Sequence, residues 1–468
     1  MFRKILLFNA LFFIYCANVS AIFKYDSLNC TLKTNLSAGT KIILGYYLGE
    51  RTFRKGIIDI GENGEGSLCS SAHEGLYFLV FPDTSTYEFL VTEGTSYEFN
   101  INLTDDRYSV TLSANDVSEA FASYRKETNE ISNEIAELRR SKANTPDEKA
   151  GNTSRLFSLK SKMDSLSNVY RIAYQGTLLG NWLKAQQPVD VPQLTLPDDT
   201  PKRDSLRWMM GIRYFRNHYL DNITWSDSRL MYTPILANKI SVYLDKIANQ
   251  NPDSLVKAVD EILGRTEDSD FRTFLDEFLL RKFERTKYQP VSEYVFAHII
   301  RHYLDDETDV SPEEKQKLET ELNRIQPAML ESIAPDISLP GKDLQRFSLH
   351  SIKADHILLI FWEPGCSTCT SVIGQLIPVL SKYNYMDIKV FTVSTGQSLK
   401  EWDDYTAHKF PKSWVNVYQT ATGKPSQVYN ISYTPSLFLL DSDRRILAKY
   451  FTVAELDDLL FGLATSKN

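Results

Sequence analysis

Cys366-Ser367-Thr368-Cys369 is the segment whose residue types and spacing bear most directly on chemistry. Two thiols separated by two small polar residues can close into a disulfide and reopen, exchanging two electrons with another disulfide. Their setting supports that use. Ile357-Leu358-Leu359-Ile360-Phe361-Trp362 is an unbroken apolar run of strand length, the pattern of a strand buried on both faces. Glu363-Pro364-Gly365 breaks the run, and a helical pattern then extends from the cysteines towards Tyr383. The first thiol is therefore expected at a helix N-terminus, where unpaired N–H groups and the helix dipole favour a thiolate. The second lies one turn in, within reach of the first.

Competing uses of the pair fit less well. A structural zinc site needs four ligands, usually including a second close pair. Cys30 and Cys69 are solitary, and no metal is expected. A purely structural disulfide has no need of the strand–turn–helix setting. A cysteine peroxidase usually carries Pro seven and Thr three residues before its nucleophile; Leu359 and Glu363 stand there before Cys366, and Trp362 and Cys366 before Cys369. His298 and His302 have a metal-compatible i, i+4 spacing, but Ile299 stands where an HExxH motif needs glutamate. Whether Cys30 and Cys69 pair is left open by their spacing.

The elements that must position the dithiol fall into regions of different periodicity. From 22 to about 117, runs such as Thr40–Leu44, Leu76–Phe81 and Tyr97–Ile101 are β-branched and aromatic, separated by turn signals including Asn63-Gly64-Glu65-Gly66. They predict a small β-sandwich. From 118 to 332 the period becomes helical, over Ser118–Arg140, Arg203–Leu220, Leu230–Ile247, Ser254–Leu263, Phe271–Phe283, Val291–Leu304 and Pro312–Ile325. No phosphate loop or catalytic cluster stands out there, and the charge run Glu127–Arg140 reads as a solvated helix face. From 333 to 468 strands and helices alternate, as in an α/β unit.

A chain of 468 residues exceeds one ordinary core, so a multidomain protein is expected. With 43% hydrophobic and 24% charged residues the composition is that of a globular protein rather than a disordered or collagen-like one. The net charge of −8, without a basic cluster, argues against a nucleic-acid partner. Residues 1–21 read as an export signal. Arg3 and Lys4 precede an apolar run of about a dozen residues, and Val19-Ser20-Ala21 suits a signal peptidase. That run is too short to span a membrane, and no later segment qualifies, so no transmembrane segment is expected in the mature chain. Cys16 sits where a lipoprotein cysteine would, although bulky Tyr15 precedes it.

Around the dithiol a family resemblance emerges. Ile333-Ala334-Pro335-Asp336-Ile337-Ser338-Leu339-Pro340, Phe361-Trp362, the Cys366–Cys369 motif and Tyr433-Thr434-Pro435-Ser436-Leu437-Phe438-Leu439-Leu440-Asp441 resemble exported thioredoxin-like proteins of the TlpA/ResA type. The wider family is shared with alkyl hydroperoxide reductases. The resemblance covers 333–468 and implies a thioredoxin-like α/β fold there. It implies that Cys366 attacks, that Cys369 resolves, and that Pro435 is a cis-proline facing the dithiol. It further implies that Thr434 pairs with a bound peptide, and that Trp362 joins the Thr434-Pro435 loop in a docking surface. Upstream, 22–117 resembles a small β-domain of exported Bacteroidetes proteins. His218–Ile223 and Tyr232–Leu236 resemble an uncharacterised helical domain of the same architecture.

The chain departs from the family in places. Gly365 replaces a frequent Trp before the first cysteine, Gly374 a frequent Pro after the second, and Ile360 the buried Asp of classical thioredoxins. Pro378 falls within the helical pattern and would loosen or kink it. Glu363 is the nearest carboxylate in sequence to the dithiol.

Together these features predict an exported thiol–disulfide oxidoreductase without a cofactor, located in the periplasm or cell envelope. Its substrate is a disulfide-containing protein or small molecule, and by family analogy a membrane thiol donor recycles it. Ser367 and Thr368 bring no cation to the thiolate, which favours a reductase over a strong oxidant. The competing reading is an envelope binding or assembly protein whose upstream regions recognise a partner, with a vestigial redox domain. The 333–468 fragment is expected to fold alone. Intact-mass analysis of the mature protein tests the leader: the expected N-terminus is Ile22, and a lipidated N-terminal Cys16 would contradict cleavage after Ala21.

Overall fold

A computed structural model describes residues 26–141, 145–193, 195–197, 202–285, 289–305 and 311–466. The expected leader and Cys16 lie outside these residues. The described chain divides into two compact units. One takes in the residues up to Ala248 with Gly264–Phe274, and the other Asn249–Leu263 with the residues from Leu275 onwards.

The first unit begins with β1 (Asp26–Thr34), β2 (Lys41–Leu48), β3 (Arg51–Asp59), β4 (Glu65–Ala72), β5 (Gly75–Val80), β6 (Thr86–Val91), β7 (Ser96–Thr104) and β8 (Arg107–Ser113). They form two four-stranded sheets in the orders β4-β1-β7-β8 and β3-β2-β5-β6. Leu28, Leu32 and Phe99 from one sheet and Ile42, Leu44 and Leu79 from the other close a single core, so this region is a β-sandwich as its alternation predicts. The register of β1 against β4 answers the cysteine question. Cys30 lies opposite Leu68 and Cys69 opposite Asn29, so the two thiols point to opposite faces of the sheet. Cys30 is buried, Cys69 is exposed, and neither forms a disulfide.

Helices α1 (Asp116–Arg140), α2 (Pro146–Ala173), α3 (Leu178–Gln186), α4 (Arg203–His218) and α5 (Pro234–Val242) complete most of this unit. The single helix expected over Leu230–Ile247 is corrected. A 3₁₀ turn at Ser228–Tyr232 ends at extended Thr233, α5 starts at Pro234, and a π turn follows at Tyr243–Ile247. Pro234 has no N–H for a helix coming from before it and pushes its predecessor out of the helical region. Helix α2 has no strong sequence signal because only Leu159 among its residues is buried.

In the second unit, α6 (Pro252–Leu263), α8 (Pro290–Asp305) and α9 (Pro312–Ile325) pack together. Helix α7 (Ser269–Arg285) starts in the first unit and ends in the second. After the short pair β9 (Ser338–Pro340) and β10 (Arg346–Ser348) come β11 (His356–Trp362), α10 (Ser367–Lys382), β12 (Ile388–Ser394), α11 (Leu399–Lys409), β13 (Val415–Tyr418), α12 (Pro425–Val428), β14 (Ser436–Asp441), β15 (Ile446–Lys449) and α13 (Val453–Ser466). The five-stranded sheet has the order β13-β12-β11-β14-β15, parallel across β11, β12 and β13 and antiparallel at β14 and β15.

Strand β11 is central, and each of its residues is buried. Its even-numbered residues Leu358, Ile360 and Trp362 pack with Leu376 of α10 and Leu456 of α13. Its odd-numbered residues Ile357, Leu359 and Phe361 belong to a second cluster with Ala328, Leu330 and Tyr429, against which Val291 and Tyr294 of α8 also pack. A boundary at 332/333 therefore cuts through a core. The 333–468 fragment would bare part of the second sheet face.

Candidate active site

The turn Glu363-Pro364-Gly365 carries the chain from the end of β11 into α10. Gly365 has φ +80°, a conformation that side chains on an L-residue resist and that glycine adopts freely. Cys366 is then the N-cap of α10, and its Sγ accepts the Cys369 N–H at 3.1 Å. This is the position a capping oxygen usually takes, with sulfur in its place. The Cys366 carbonyl accepts the Thr370 N–H at 3.1 Å and starts the helical ladder. Helix α10 runs on through Pro378 to Lys382 without interruption.

The two thiols differ in access. Cys366 is half-buried, whereas Cys369 is 1% exposed and sits in the core with Trp362, Ile373 and Leu376. Burial, reinforced by the neighbouring Cys366 sulfur, pushes the Cys369 thiol up from 9.0 to about 11. Hydrogen bonding to the Glu363 backbone and to the Thr434 side chain opposes that shift, and no carboxylate contributes to it. The Glu363 side chain is exposed. The buried Asp of classical thioredoxins thus has no counterpart among the groups acting on Cys369, with Ile360 in its place.

The Thr434–Pro435 bond is cis, as the resemblance implies. Cys366 Sγ lies 4.0 Å from the Thr434 carbonyl oxygen, so the Cys366–Cys369 turn and the Thr434-Pro435 loop do meet. The docking role expected for Trp362 is corrected. Strand alternation turns its indole to the same face as Leu358 and Ile360, where it is wholly buried. Its ring lies 4.8 Å from Phe410 and 5.3 Å from Tyr405, and the Tyr405 hydroxyl bonds Thr370 on α10. Trp362 therefore supports the floor beneath the dithiol. The exposed aromatic at the site is Tyr433, 49% accessible and adjacent to Thr434. An aromatic next to the X–Pro pair was its only signal in the sequence.

The remaining candidates lie elsewhere. His298 Nε2 is 2.7 Å from Asp260 Oδ1. Among the described residues no group of three or more His, Cys, Asp or Glu side chains is arranged to hold a metal ion. No helix among them is long and apolar enough to cross a membrane.

Residues 354–446 match the family model described as thioredoxin-like. The C-terminal region is a thioredoxin-like domain. Residues 210–327 match a domain of unknown function, DUF5106, in the helical region. Among solved structures, a thioredoxin-like protein from Bacteroides caccae is similar at 21% identity and a TM-score of 0.43, covering 59% of this chain and 99% of its own. The thioredoxin domain of a thiol-disulfide oxidoreductase from Bacteroides vulgatus is similar at 23% identity and a TM-score of 0.27, over 29% of this chain and 96% of its own. A thiol:disulfide interchange protein from a Bacteroides species is 23% identical with a TM-score of 0.26, over 29% of this chain and 89% of its own. No curated protein matches the chain.

The asymmetry of the thioredoxin-like dithiol is open to direct measurement. With a thiol pKa of about 11, roughly one Cys369 in ten thousand is a thiolate at pH 7. In the reduced protein, iodoacetamide should modify Cys366 at pH 7 and leave Cys369 intact until the pH approaches 11. Peptide mapping that finds Cys369 modified first at pH 7 would contradict the arrangement.

Proposed function

We propose that the protein is an exported thiol–disulfide oxidoreductase that reduces disulfides through Cys366 and Cys369. The observation that carries this reading is the half-buried Cys366 sulfur at the N-cap of α10. It receives the Cys369 N–H at 3.1 Å and stands 4.0 Å from the Thr434 carbonyl. The match of residues 354–446 to the thioredoxin-like family supports it.

In this reading the Cys366 thiolate attacks one sulfur of a substrate disulfide. A Cys366–substrate bond forms, the substrate S–S bond breaks, and the departing sulfur leaves as a thiolate that takes up a proton. Cys369 then loses its proton and attacks Cys366 Sγ. The Cys366–Cys369 disulfide forms and the second substrate sulfur is released. The substrate gains two electrons and two protons, and the enzyme dithiol is oxidised. A dithiol donor, in our reading a membrane thiol reductant, returns the two electrons. Thr434, Pro435 and exposed Tyr433 form the surface that meets the substrate, while Trp362 holds the floor. Ser367 and Thr368 carry no charge, in keeping with a reductase. The leader read from residues 1–21 supports a periplasmic or envelope setting for this reaction.

Insulin reduction with dithiothreitol as the recycling reductant tests the reading. Cys366→Ser should lose at least roughly a hundredfold of the catalysed rate over the dithiothreitol background. Equal rates for the variant and the wild type would remove the enzyme reading and leave a binding or assembly role for the upstream regions.

A further inference from the structure

The thioredoxin-like sheet is tied to the helices that precede it by charged groups that the disulfide chemistry does not use. Lys449, the last residue of β15, pairs with Glu293 of α8, and the two side chains are 0% and 2% exposed. Lys449 Nζ also donates to the Ala328 carbonyl at 2.7 Å, just beyond α9. A second tie lies nearby, where the Arg324 guanidinium of α9 donates to Asn430 Oδ1. Arg324 is itself held by Glu321 at 2.5 Å.

Both ties lead to the loop that faces the dithiol. Asn430 belongs to the segment that runs from buried Tyr429 to Pro435. Tyr450, next to Lys449, has φ +58°, and its N–H donates to the Leu437 carbonyl at 2.8 Å. Its hydroxyl reaches the Tyr429 and Asn430 carbonyls at 3.4 Å each. Its ring lies 5.8 Å from that of Tyr433 and 5.4 Å from that of Phe438. The contacts thus run from α8 and α9 through Lys449, Tyr450 and Asn430 to Tyr433-Thr434-Pro435, and from there to Cys366.

We propose that Glu293 and Arg324 are positioning residues, through which α8 and α9 set the Tyr433–Pro435 loop for productive docking of protein disulfides. This rests on the oxidoreductase reading and assigns the end of the helical region a part in substrate binding. A protein disulfide must lay its backbone against the loop, so a small shift there weakens its docking. A small aromatic disulfide needs the Cys366 sulfur and little else, and is insensitive to the loop.

The experiment uses the full chain with two substrates, insulin and 5,5′-dithiobis(2-nitrobenzoate). The variants are Glu293→Gln and Asn430→Gly; the second removes the Arg324 acceptor while glycine keeps the left-handed backbone at Asn430, φ +53°. Each folded variant should raise KM for insulin by roughly three- to tenfold with kcat little changed. Reduction of the small disulfide and the rate of Cys366 alkylation should stay within about twofold of wild type. Should Glu293→Gln fail to fold, Asn430→Gly alone decides. A folded Asn430→Gly variant with unchanged insulin kinetics, or with equal losses on both substrates, overturns the proposal. A wild-type protein that reduces neither substrate overturns the oxidoreductase reading and this inference with it.

Discussion

The hydrogen bond from the Cys369 N–H to the Cys366 sulfur exists because a strand buried on both faces delivers the chain to one point. Strand β11 is locked between β12 and β14, and its alternate residues fill two separate clusters. A shift of one residue would exchange Leu358, Ile360 and Trp362 with Ile357, Leu359 and Phe361 across the sheet, so the register is held by packing on both sides. The turn that follows is short, and Gly365 supplies the one backbone conformation that aims the next residue at the start of α10. Cys366 is left with its sulfur at the helix end and one side open. Cys369, one turn along, is driven into the core by the same geometry.

The second face of that sheet gives the upstream helices their part. Val291 and Tyr294 of α8 and the segment carrying Ala328 and Leu330 complete a cluster that the strands alone leave open. The Glu293–Lys449 pair inside this contact is expensive to form, since both charges leave water. Burial raises the Glu293 carboxyl above its ordinary range and lowers the Lys449 ammonium, while their mutual attraction opposes both shifts. Removing one partner leaves the other charge stranded, at a cost of about 3–5 kcal/mol. A pair of this kind ties two elements together at one defined point, because any misalignment leaves a charge unpaired.

How much of this was legible in the sequence follows from the range of the forces involved. The apolar run 357–362, the breaking turn and the cysteine spacing are local, and they marked the strand, the helix start and the two thiols. The resemblance of Tyr433–Asp441 placed the cis-proline loop opposite them. Trp362 was misread because a continuous apolar run does not say which face of a strand meets solvent and which meets Phe410 and Tyr405. The opposite facing of Cys30 and Cys69 depends on the β1–β4 register, which their spacing does not encode. The break at Thr233 was visible as Pro234 but was outweighed by the apolar period on either side. Glu293 is one acid among many on helical segments, and its role appears only when Lys449, 156 positions away, is placed beside it.

The most direct test of the central claim is to stop the reaction halfway. The Cys369→Ser variant retains the Cys366 sulfur at the helix end but has no thiol to displace the product. Incubated with a disulfide substrate and mapped by mass spectrometry without reduction, it should accumulate a mixed disulfide on Cys366 that wild-type protein does not retain. A folded variant that forms no adduct would contradict the account, as would an adduct on Cys369 of the reciprocal Cys366→Ser variant with none on Cys366.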